Sequence, residues 1–298
     1  MDSPSLSRRS FLTTTTLAAA SLATGRISAA EVGTGASFKG PIGLQLYSLR
    51  AQFMRDVPGT IAKVASYGIR DVELAGTYNF KPDAFLGMLT KAGLKPISQH
   101  AGFERYEKEP ASVLAEAKAL GLKYTGCAWI PHKGDFDAAQ ARHAAKVFND
   151  AGKLFADSGI KCFYHCHGFE FKPGAAGAGT TAMDILIQET DPRYVAFQMD
   201  TLWVVFPGQD PAAWLTKYPG RWELMHLKDL KKGIATGDHK GGTDPNNDVI
   251  LGSGQMNWPS ILAAAKRSGV KHYFIEDESI GAPDQIPQSL SYLSKVSF

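Results

Sequence analysis

Short apolar runs alternate along the chain with segments whose apolar positions recur at helical spacing. The runs predict buried strands, and the spaced positions predict amphipathic helices. Strands are predicted at 42–46, 71–74, 96–100, 124–129, 160–167, 195–200, 223–227 and 272–276. Helices are predicted at 57–67, 83–92, 111–120, 136–158, 183–189, 210–217, 258–268 and 285–293. Gly68, Gly93 and Gly121 follow three of these helices, where a left-handed C-cap favours glycine.

Strict alternation of strands and helices predicts a parallel sheet with right-handed crossovers. Eight such units predict a closed (β/α)8 TIM barrel that forms one domain over residues 41–298. An open doubly wound sheet is the alternative, but no GxGxxG motif follows the first strand. In a closed barrel the carboxyl ends of the strands meet at one mouth, where active sites lie. Polar residues at those strand ends are therefore the candidates for chemistry.

The first 30 residues have the features of an export signal. Arg8 and Arg9 precede a mild apolar stretch at 17–23, and Ser28-Ala29-Ala30 supplies small residues at its end. This order predicts a twin-arginine signal at 1–30, export to the periplasm or the exterior, and a linker at 31–40. The alternative is a disordered basic tail. The apolar stretch is too short and too polar to be a stable membrane span.

Charge and cysteine content narrow the function classes. Without residues 1–30 the chain keeps 29 basic and 28 acidic side chains, a formal charge of +1. This balance and the absence of a long basic stripe argue against a nucleic-acid partner. Cys127, Cys162 and Cys166 are too few, and odd in number, for a disulfide framework.

Three neighbouring strand ends carry side chains that bind metals. Asp200, His226 and Glu276 end the sixth, seventh and eighth predicted strands. Mixed oxygen and nitrogen donors suit one divalent ion, with Mn²⁺ preferred and Zn²⁺, Co²⁺ or Mg²⁺ as alternatives. A fourth ligand is expected near the fifth strand. Glu170 is the preferred candidate, and His165 is the competitor.

One predicted connection is unusually long. About 27 residues rich in Gly, Asp and Asn separate Leu230 from Trp258. Loops of this length inside compact domains are usually functional. Its place above the barrel mouth favours a lid that covers the substrate. The alternative is a contact between copies of the chain in a homo-oligomer.

Several motifs together resemble the sugar phosphate isomerase/epimerase family of xylose isomerase-like barrels, which is also related to endonuclease IV. The resemblance covers about residues 41–295. It depends on GLQLYS at 43–48, YHCHGFEF at 164–171, DTLW at 200–203, HLKD at 226–229, LGSG at 251–254 and IED at 275–277. The chain departs from the family at His165, where many relatives carry Glu, and at Cys166, where a common form has Asn.

The resemblance implies one divalent metal, often Mn²⁺, bound by Glu170, Asp200, His226 and Glu276. It also implies proton abstraction next to a carbonyl, with Glu170 and Glu276 as the proton-transfer pair and a metal-stabilised enediolate. Further roles follow for other strand-end residues. His100 and His167 would bind hydroxyls or shuttle protons, Lys228 would hold an oxyanion, Glu73 would bind sugar hydroxyls or form a salt bridge, and Tyr47, Trp129 and Trp203 would form an apolar wall.

The predicted function is a metal-dependent isomerase or epimerase acting on a sugar or keto-sugar. A lyase on 3-keto-glycosides would use the same site. A non-catalytic exported carbohydrate-binding protein would keep the aromatic wall and the polar residues at the strand ends but would not transfer protons. An exported location suits uncharged sugars better than sugar phosphates. A DNA-repair endonuclease would need more metal ligands and a basic groove.

Overall fold

A closed barrel of parallel strands forms the body of the chain. The computed structural model describes residues 41–174, 177 and 179–298. The eight barrel strands pair in chain order, and the last closes the ring by pairing with the first. They are β1 (Ile42–Gln45), β2 (Asp71–Leu74), β3 (Lys95–His100), β4 (Tyr124–Cys127), β5 (Lys161–His165), β6 (Val195–Asp200), β7 (Trp222–Leu227) and β10 (His272–Ile275). The predicted barrel is confirmed, whereas the predicted signal (1–30) and linker (31–40) lie outside the described residues.

Helices surround the barrel and connect its strands. They are α1 (Arg50–Phe53), α2 (Val57–Ser66), α3 (Pro82–Lys91), α4 (Phe103–Lys108), α5 (Pro110–Ala119), α6 (Ala138–Ala156), α7 (Ala182–Glu189), α8 (Thr201–Val205), α9 (Pro211–Lys217), α10 (Trp258–Ser268) and α11 (Ala282–Leu293). The longest, α6, begins with a capping box in which Asp137 and Gln140 exchange side-chain and backbone hydrogen bonds. The short helices α1, α4 and α8 were not predicted, because a few residues are too short for a periodic pattern.

Large apolar side chains fill the barrel interior, so the barrel is a packed core. Ile97, Tyr124, Phe163, Ala196, Leu224 and Phe274 form this inner cluster, which is separate from the larger core between strands and helices. Gly43 and Gly126 make room for it. A Cβ at either position would lie 2.5 Å from the ring of Phe274 or Phe163. The barrel strands therefore carry no side chain at the two positions where those rings pack against the backbone.

Several strands end earlier than predicted. β5 stops at His165, because Gly168 adopts a φ of 102° and leads into a 3-10 turn at Phe169–Phe171. β4 and β10 stop at Cys127 and Ile275. The polar residues that follow these strands therefore belong to the loops above the mouth.

The long loop after β7 is pinned at its base. Two short antiparallel strands, β8 (Asp229–Leu230) and β9 (Asp248–Val249), bring its ends together. The Asp229 carboxylate accepts hydrogen bonds from Gly252 N and Trp258 Nε1, both at 2.8 Å. At the tip, a Cβ on Gly241 would lie 3.1 Å from the Trp129 ring. The loop thus reaches the mouth of the barrel, although its function as a lid stays a prediction.

None of the described helices combines the length and the apolar character that a membrane crossing requires.

Candidate metal centre

Four side chains converge at the carboxyl ends of neighbouring strands. His165 ends β5, Asp200 ends β6, His226 lies near the end of β7, and Glu276 directly follows β10. One ligand atom from each lies within 4.8 Å of the others, and all four residues are buried. The structure thus brings together three of the four predicted ligands and adds His165, the predicted competitor.

Asp200 directs a free oxygen into this cluster. Its Oδ1 caps α8 by accepting from Trp203 N at 3.0 Å. Its Oδ2 is buried without a hydrogen-bond partner among the described residues, 3.7 Å from Nδ1 of His226. Buried carboxylate oxygens are rarely left unpaired. This oxygen has the surroundings of a cation ligand.

A buried carboxylate lies beneath the cluster. Glu73 accepts hydrogen bonds from His226 Nε2 at 2.6 Å and from Gln198 Nε2 at 2.8 Å. It also accepts from Gln45 Nε2 at 2.7 Å and Ser98 Oγ at 2.5 Å, and His100 Nε2 lies 3.2 Å from its Oε1. Glu73 is fully buried and does not line the cavity described below. Its predicted contact with sugar hydroxyls has no support in this geometry.

The charge states of His226, Glu276 and His165 depend on their neighbours. Burial alone would lower the pKa of His226, but the carboxylates of Glu276 and Glu73 outweigh it and raise that pKa well above its ordinary value. Burial would raise the pKa of Glu276, but Lys228 and His226 hold it well below its usual range. Burial, assisted by His226 and His100, lowers the pKa of His165 and keeps it neutral. The cluster therefore contains an ionised carboxylate and a neutral imidazole, both competent ligands.

Glu170 lies outside the cluster. The turn at Gly168 directs its carboxylate to the Tyr164 hydroxyl and to the backbone N–H of His167, 2.9 Å away. Burial raises its pKa to about 7. The sequence showed that Glu170 is close to the mouth along the chain, but it could not show which way the turn points its side chain.

A cavity opens directly above the cluster. Its volume is about 290 Å³. The predicted residues Tyr47, His100, Trp129, His165, His167, Trp203 and Glu276 line it, together with Gln45, Ala75, Ala128 and Glu278. His167 stacks on Trp203 with ring centroids 4.4 Å apart, and its Nδ1 is buried without a partner among the described residues. The cavity combines aromatic walls with polar groups that can bind hydroxyls.

A family match that covers most of the chain identifies the family of this protein. The sequence profile described as xylose isomerase-like TIM barrel matches residues 61–296. The chain belongs to this family. The resemblance deduced from the motifs is therefore confirmed, and the eight-stranded barrel is the expected fold of a xylose isomerase-like protein.

Solved structures share this fold along most of the chain. A sugar phosphate isomerase/epimerase from Parabacteroides distasonis is 27% identical with a TM-score of 0.72, over 86% of this chain and 98% of that one. The IolI protein, solved with a zinc atom, is 12% identical with a TM-score of 0.66, over 85% and 94% of the two chains. At that identity the likeness shows the fold alone.

Curated relatives match over shorter stretches. Inosose dehydratase 2 from Bacillus cereus is 36% identical over 183 residues, which are 59% of this chain and 56% of that one. An inosose dehydratase from Clostridium tetani is 34% identical over 33% of this chain and 32% of its own. This chain thus matches between a third and just over half of the length of these relatives.

Lys228 of this xylose isomerase-like barrel is not free to hold a substrate anion. Its buried ammonium lies 3.3 Å from Glu276, 3.7 Å from Asp248 and 3.8 Å from Asp200, and it also bonds Glu278. Burial would lower the pKa of Lys228, but these carboxylates raise it well above its ordinary value. The lysine therefore neutralises the acidic side of the site.

Sequence reasoning missed several residues of this arrangement. Gln198, Ser98, Gln45, Asp248 and Glu278 were not singled out as site residues. Gln198 had one usable signal, since period-two alternation places it on the same face of β6 as Asp200. The others lie on strands or loops whose approach only the closed barrel creates.

Proposed function

We propose that this protein is a divalent-metal-dependent enzyme that removes the proton next to a carbonyl of an uncharged keto-sugar or keto-cyclitol. The observation that carries the proposal is the cluster of His165, Asp200, His226 and Glu276, of which His165 and Glu276 line a cavity of about 290 Å³. An isomerase or epimerase returns the proton to a carbon. A lyase instead expels a neighbouring group.

The donor set fits a borderline divalent ion. Two imidazoles and two carboxylates suit Mn²⁺ or Zn²⁺ better than Mg²⁺. Metal–ligand bonds of about 2.0–2.2 Å keep ligands within about 4.4 Å of each other. The ligand atoms lie within 4.8 Å of one another, so at most a small contraction is needed. The Oδ2 of Asp200, which has no hydrogen-bond partner among the described residues, is a further sign of fit.

The protein's own residues supply binding and proton transfer. A bound ion would act as a Lewis acid towards the substrate carbonyl. Glu276 is ionised and lines the cavity, so that its carboxylate can accept the proton. His167 offers the unpaired Nδ1 to a hydroxyl or as a second proton carrier. Since Glu170 faces Tyr164, this pair replaces the predicted pair of glutamates.

The cavity favours a small neutral substrate. None of the described residues that line it is Lys or Arg, whereas Glu276 and Glu278 are acidic. Its volume of about 290 Å³ lies just below the range of about 300–1,000 Å³ for drug-sized ligands. A single sugar or cyclitol ring fits these limits better than a sugar phosphate.

The lyase is the second candidate because the curated relatives are named inosose dehydratases. Dehydration of a ketone begins with the same removal of the α-proton. The two candidates therefore share one site and differ in the product.

Metal content is the first test. Mass spectrometry on protein purified without chelator should find about one Mn²⁺ or Zn²⁺ per chain. Asp200→Asn keeps an oxygen that can cap Trp203, but it loses the charge. Its metal affinity should fall by about 100-fold or more, because even outer-shell changes cost about 10–100-fold. Asp210→Asn, which alters a cap of α9 instead, is the matched control. No metal after reconstitution would favour the carbohydrate-binding protein.

Deuterium exchange then tests the chemistry. Neutral ketoses and inosose are incubated with the metal-loaded protein in D₂O, and proton NMR follows the α-proton. We expect exchange of at least one compound, and a loss of about 100-fold or more in Glu276→Gln, since a positioned base contributes about 10²–10⁴-fold. An epimer or aldose identifies an isomerase, and a dehydrated product identifies a lyase. An unchanged rate in the variant would contradict the role of Glu276.

A further inference from the structure

Gln198 connects three histidines with the carboxylate beneath the site. It lies on β6, fully buried, two residues before Asp200. Its Nε2 donates to Glu73 Oε2 at 2.8 Å. Its Oε1 lies 3.0 Å from Nδ1 of His165 and 2.9 Å from Nε2 of His100. One amide group thus spans the barrel interior from β6 to β2, while Glu73 contacts the third histidine, His226, and also lies 3.2 Å from Nε2 of His100.

The chemistry of these groups determines the direction of each hydrogen bond. An ionised carboxylate only accepts, so the amide nitrogen of Gln198 must face Glu73. The amide oxygen that remains can only accept, so both imidazole nitrogens facing it must carry hydrogens. In neutral His165 the proton is therefore on Nδ1, and the lone pair is on Nε2. A free neutral imidazole prefers the opposite tautomer, with the proton on Nε2.

Glu73, which Gln198 contacts, also orients His226, but through Nε2 and not through Nδ1. Its Nε2 donates to Glu73 Oε1 at 2.6 Å, and its Nδ1 faces Glu276 Oε2 at 3.1 Å and Asp200 Oδ2 at 3.7 Å. Histidine ligands of metals commonly donate their second N–H to such an outer partner, which fixes ring and tautomer. The two imidazoles of the cluster would thus bind through different nitrogens.

We infer that Gln198 is a positioning residue that holds His165 in the Nδ1–H tautomer and so leaves Nε2 as the nitrogen whose lone pair can bind an ion. The inference rests on the proposed metal site for its consequence, but the tautomer itself is a property of the protein without metal. Glutamate at this position would set a second carboxylate against Glu73. Leucine would leave the buried Nδ1–H of His165 without an acceptor, at a cost in stability.

The tautomer can be read directly. Metal-free protein labelled with ¹⁵N-histidine gives two-bond ¹H–¹⁵N correlation spectra at pH 8 that distinguish Nδ1–H from Nε2–H, and His165→Asn assigns the signal. We expect His165 of the unaltered chain to be Nδ1–H. An Nε2–H signal would overturn the inference. This measurement uses the unaltered chain, so its outcome does not depend on whether a variant folds.

Substitution tests the cause. Gln198→Leu should move the His165 signal to the Nε2–H pattern and weaken Zn²⁺ or Mn²⁺ binding by about 10–100-fold, measured by competition with a chelating dye. Gln99→Leu is the matched control, because Gln99 is also buried on a barrel strand but bonds Thr125. Its tautomers and metal affinity should stay unchanged. An unchanged His165 tautomer in Gln198→Leu would contradict the assignment.

The two proposals fail in different ways. If His165 is Nδ1–H and responds to Gln198→Leu but no metal binds, the proposed function fails and the positioning role stands. If metal binds tightly while His165 is Nε2–H, the positioning role fails and the metal site stands. Equal metal affinity in Gln198→Leu and the unaltered chain would refute the consequence drawn for the ligand.

Discussion

At the scale of single residues, neighbours decide what a buried carboxylate does. Glu276 faces Lys228 and His226, which keep it ionised against the effect of burial. Glu170 faces a hydroxyl and a backbone N–H, and burial raises its pKa to about 7. Both glutamates follow barrel strands and were predicted to have the same role. A neighbouring cation keeps Glu276 ionised and therefore a candidate base, whereas Glu170 has no such neighbour among its hydrogen-bond partners and supports a turn.

Glu170→Gln should remove a pH dependence of stability. Folded protein holds the Glu170 proton up to about pH 7, whereas the ordinary pKa is 4.5. Between these values the folded state binds more protons, so the free energy of unfolding falls as pH rises, by up to about 3 kcal/mol. Glutamine cannot ionise, so the free energy of unfolding of Glu170→Gln should not show this decrease with pH.

Urea unfolding of metal-free protein at pH 5, 6, 7 and 8 checks this expectation. The free energy of unfolding of Glu170→Gln minus that of the unaltered chain should increase by about 1–3 kcal/mol from pH 5 to pH 8. Glu109→Gln, at an exposed position, should run parallel to the unaltered chain. A parallel profile for Glu170→Gln would contradict the assigned pKa.

At the scale of elements, the loops after the strands carry the site, and one of them is held at both ends. Asp229 binds the returning segment through Gly252 and Trp258, and Lys231 N donates to Asn247 O at 2.8 Å. The LGSG motif noticed in the sequence therefore anchors the loop. Near Gly241, which is buried, the loop lies against Trp129 of the cavity wall. A pinned base and a tip that rests on the cavity wall suit a segment that moves locally.

Gly241→Val should detach this tip from the mouth. The residue has a φ of 68°, and a Cβ would lie 3.1 Å from the Trp129 ring, the Phe169 ring and the His167 carbonyl oxygen. A β-branched residue in this conformation costs about 1–3 kcal/mol. Local opening should therefore increase by about fivefold or more, and trypsin cleavage after Lys240 should accelerate accordingly.

Gly242→Val provides the control, because nothing lies within 4 Å of a Cβ there. For any substrate found, Gly241→Val should raise KM and leave metal content unchanged. Equal cleavage rates in both variants and the unaltered chain would refute the packing of the tip, and an unchanged KM would refute the lid.

At the scale of the whole molecule, the barrel separates chemistry from stability. The mouth holds the side chains of the candidate metal centre, and the apolar inner cluster around Phe163 and Phe274 fills the middle. At the opposite end, the buried Glu223 bonds Lys161 at 2.5 Å, Lys271 at 2.9 Å and the Tyr124 hydroxyl at 2.8 Å. This division is expected in TIM barrels, where the N-terminal end serves stability.

Glu223→Gln should therefore destabilise the fold and spare the site. Hydrogen bonds to charged groups contribute about 1.5–3 kcal/mol, so the free energy of unfolding in urea should fall by about that amount. Metal affinity should stay within about twofold, because the apolar inner cluster separates the two ends. Asp200→Asn should show the reverse pattern. A large loss of metal affinity in Glu223→Gln would contradict the separation.

The sequence by itself determined the eight strand–helix units, the closed barrel, and Asp200, His226 and Glu276 at its mouth. It could do so because periodicity is local and parallel strands bring their carboxyl ends together. Only the tertiary structure decided that His165 joins them while Glu170 turns away, that carboxylates surround Lys228, and that Gln198 and Glu73 lie beneath. These outcomes depend on side-chain directions and on contacts between residues up to 153 positions apart, which no pattern along the chain encodes.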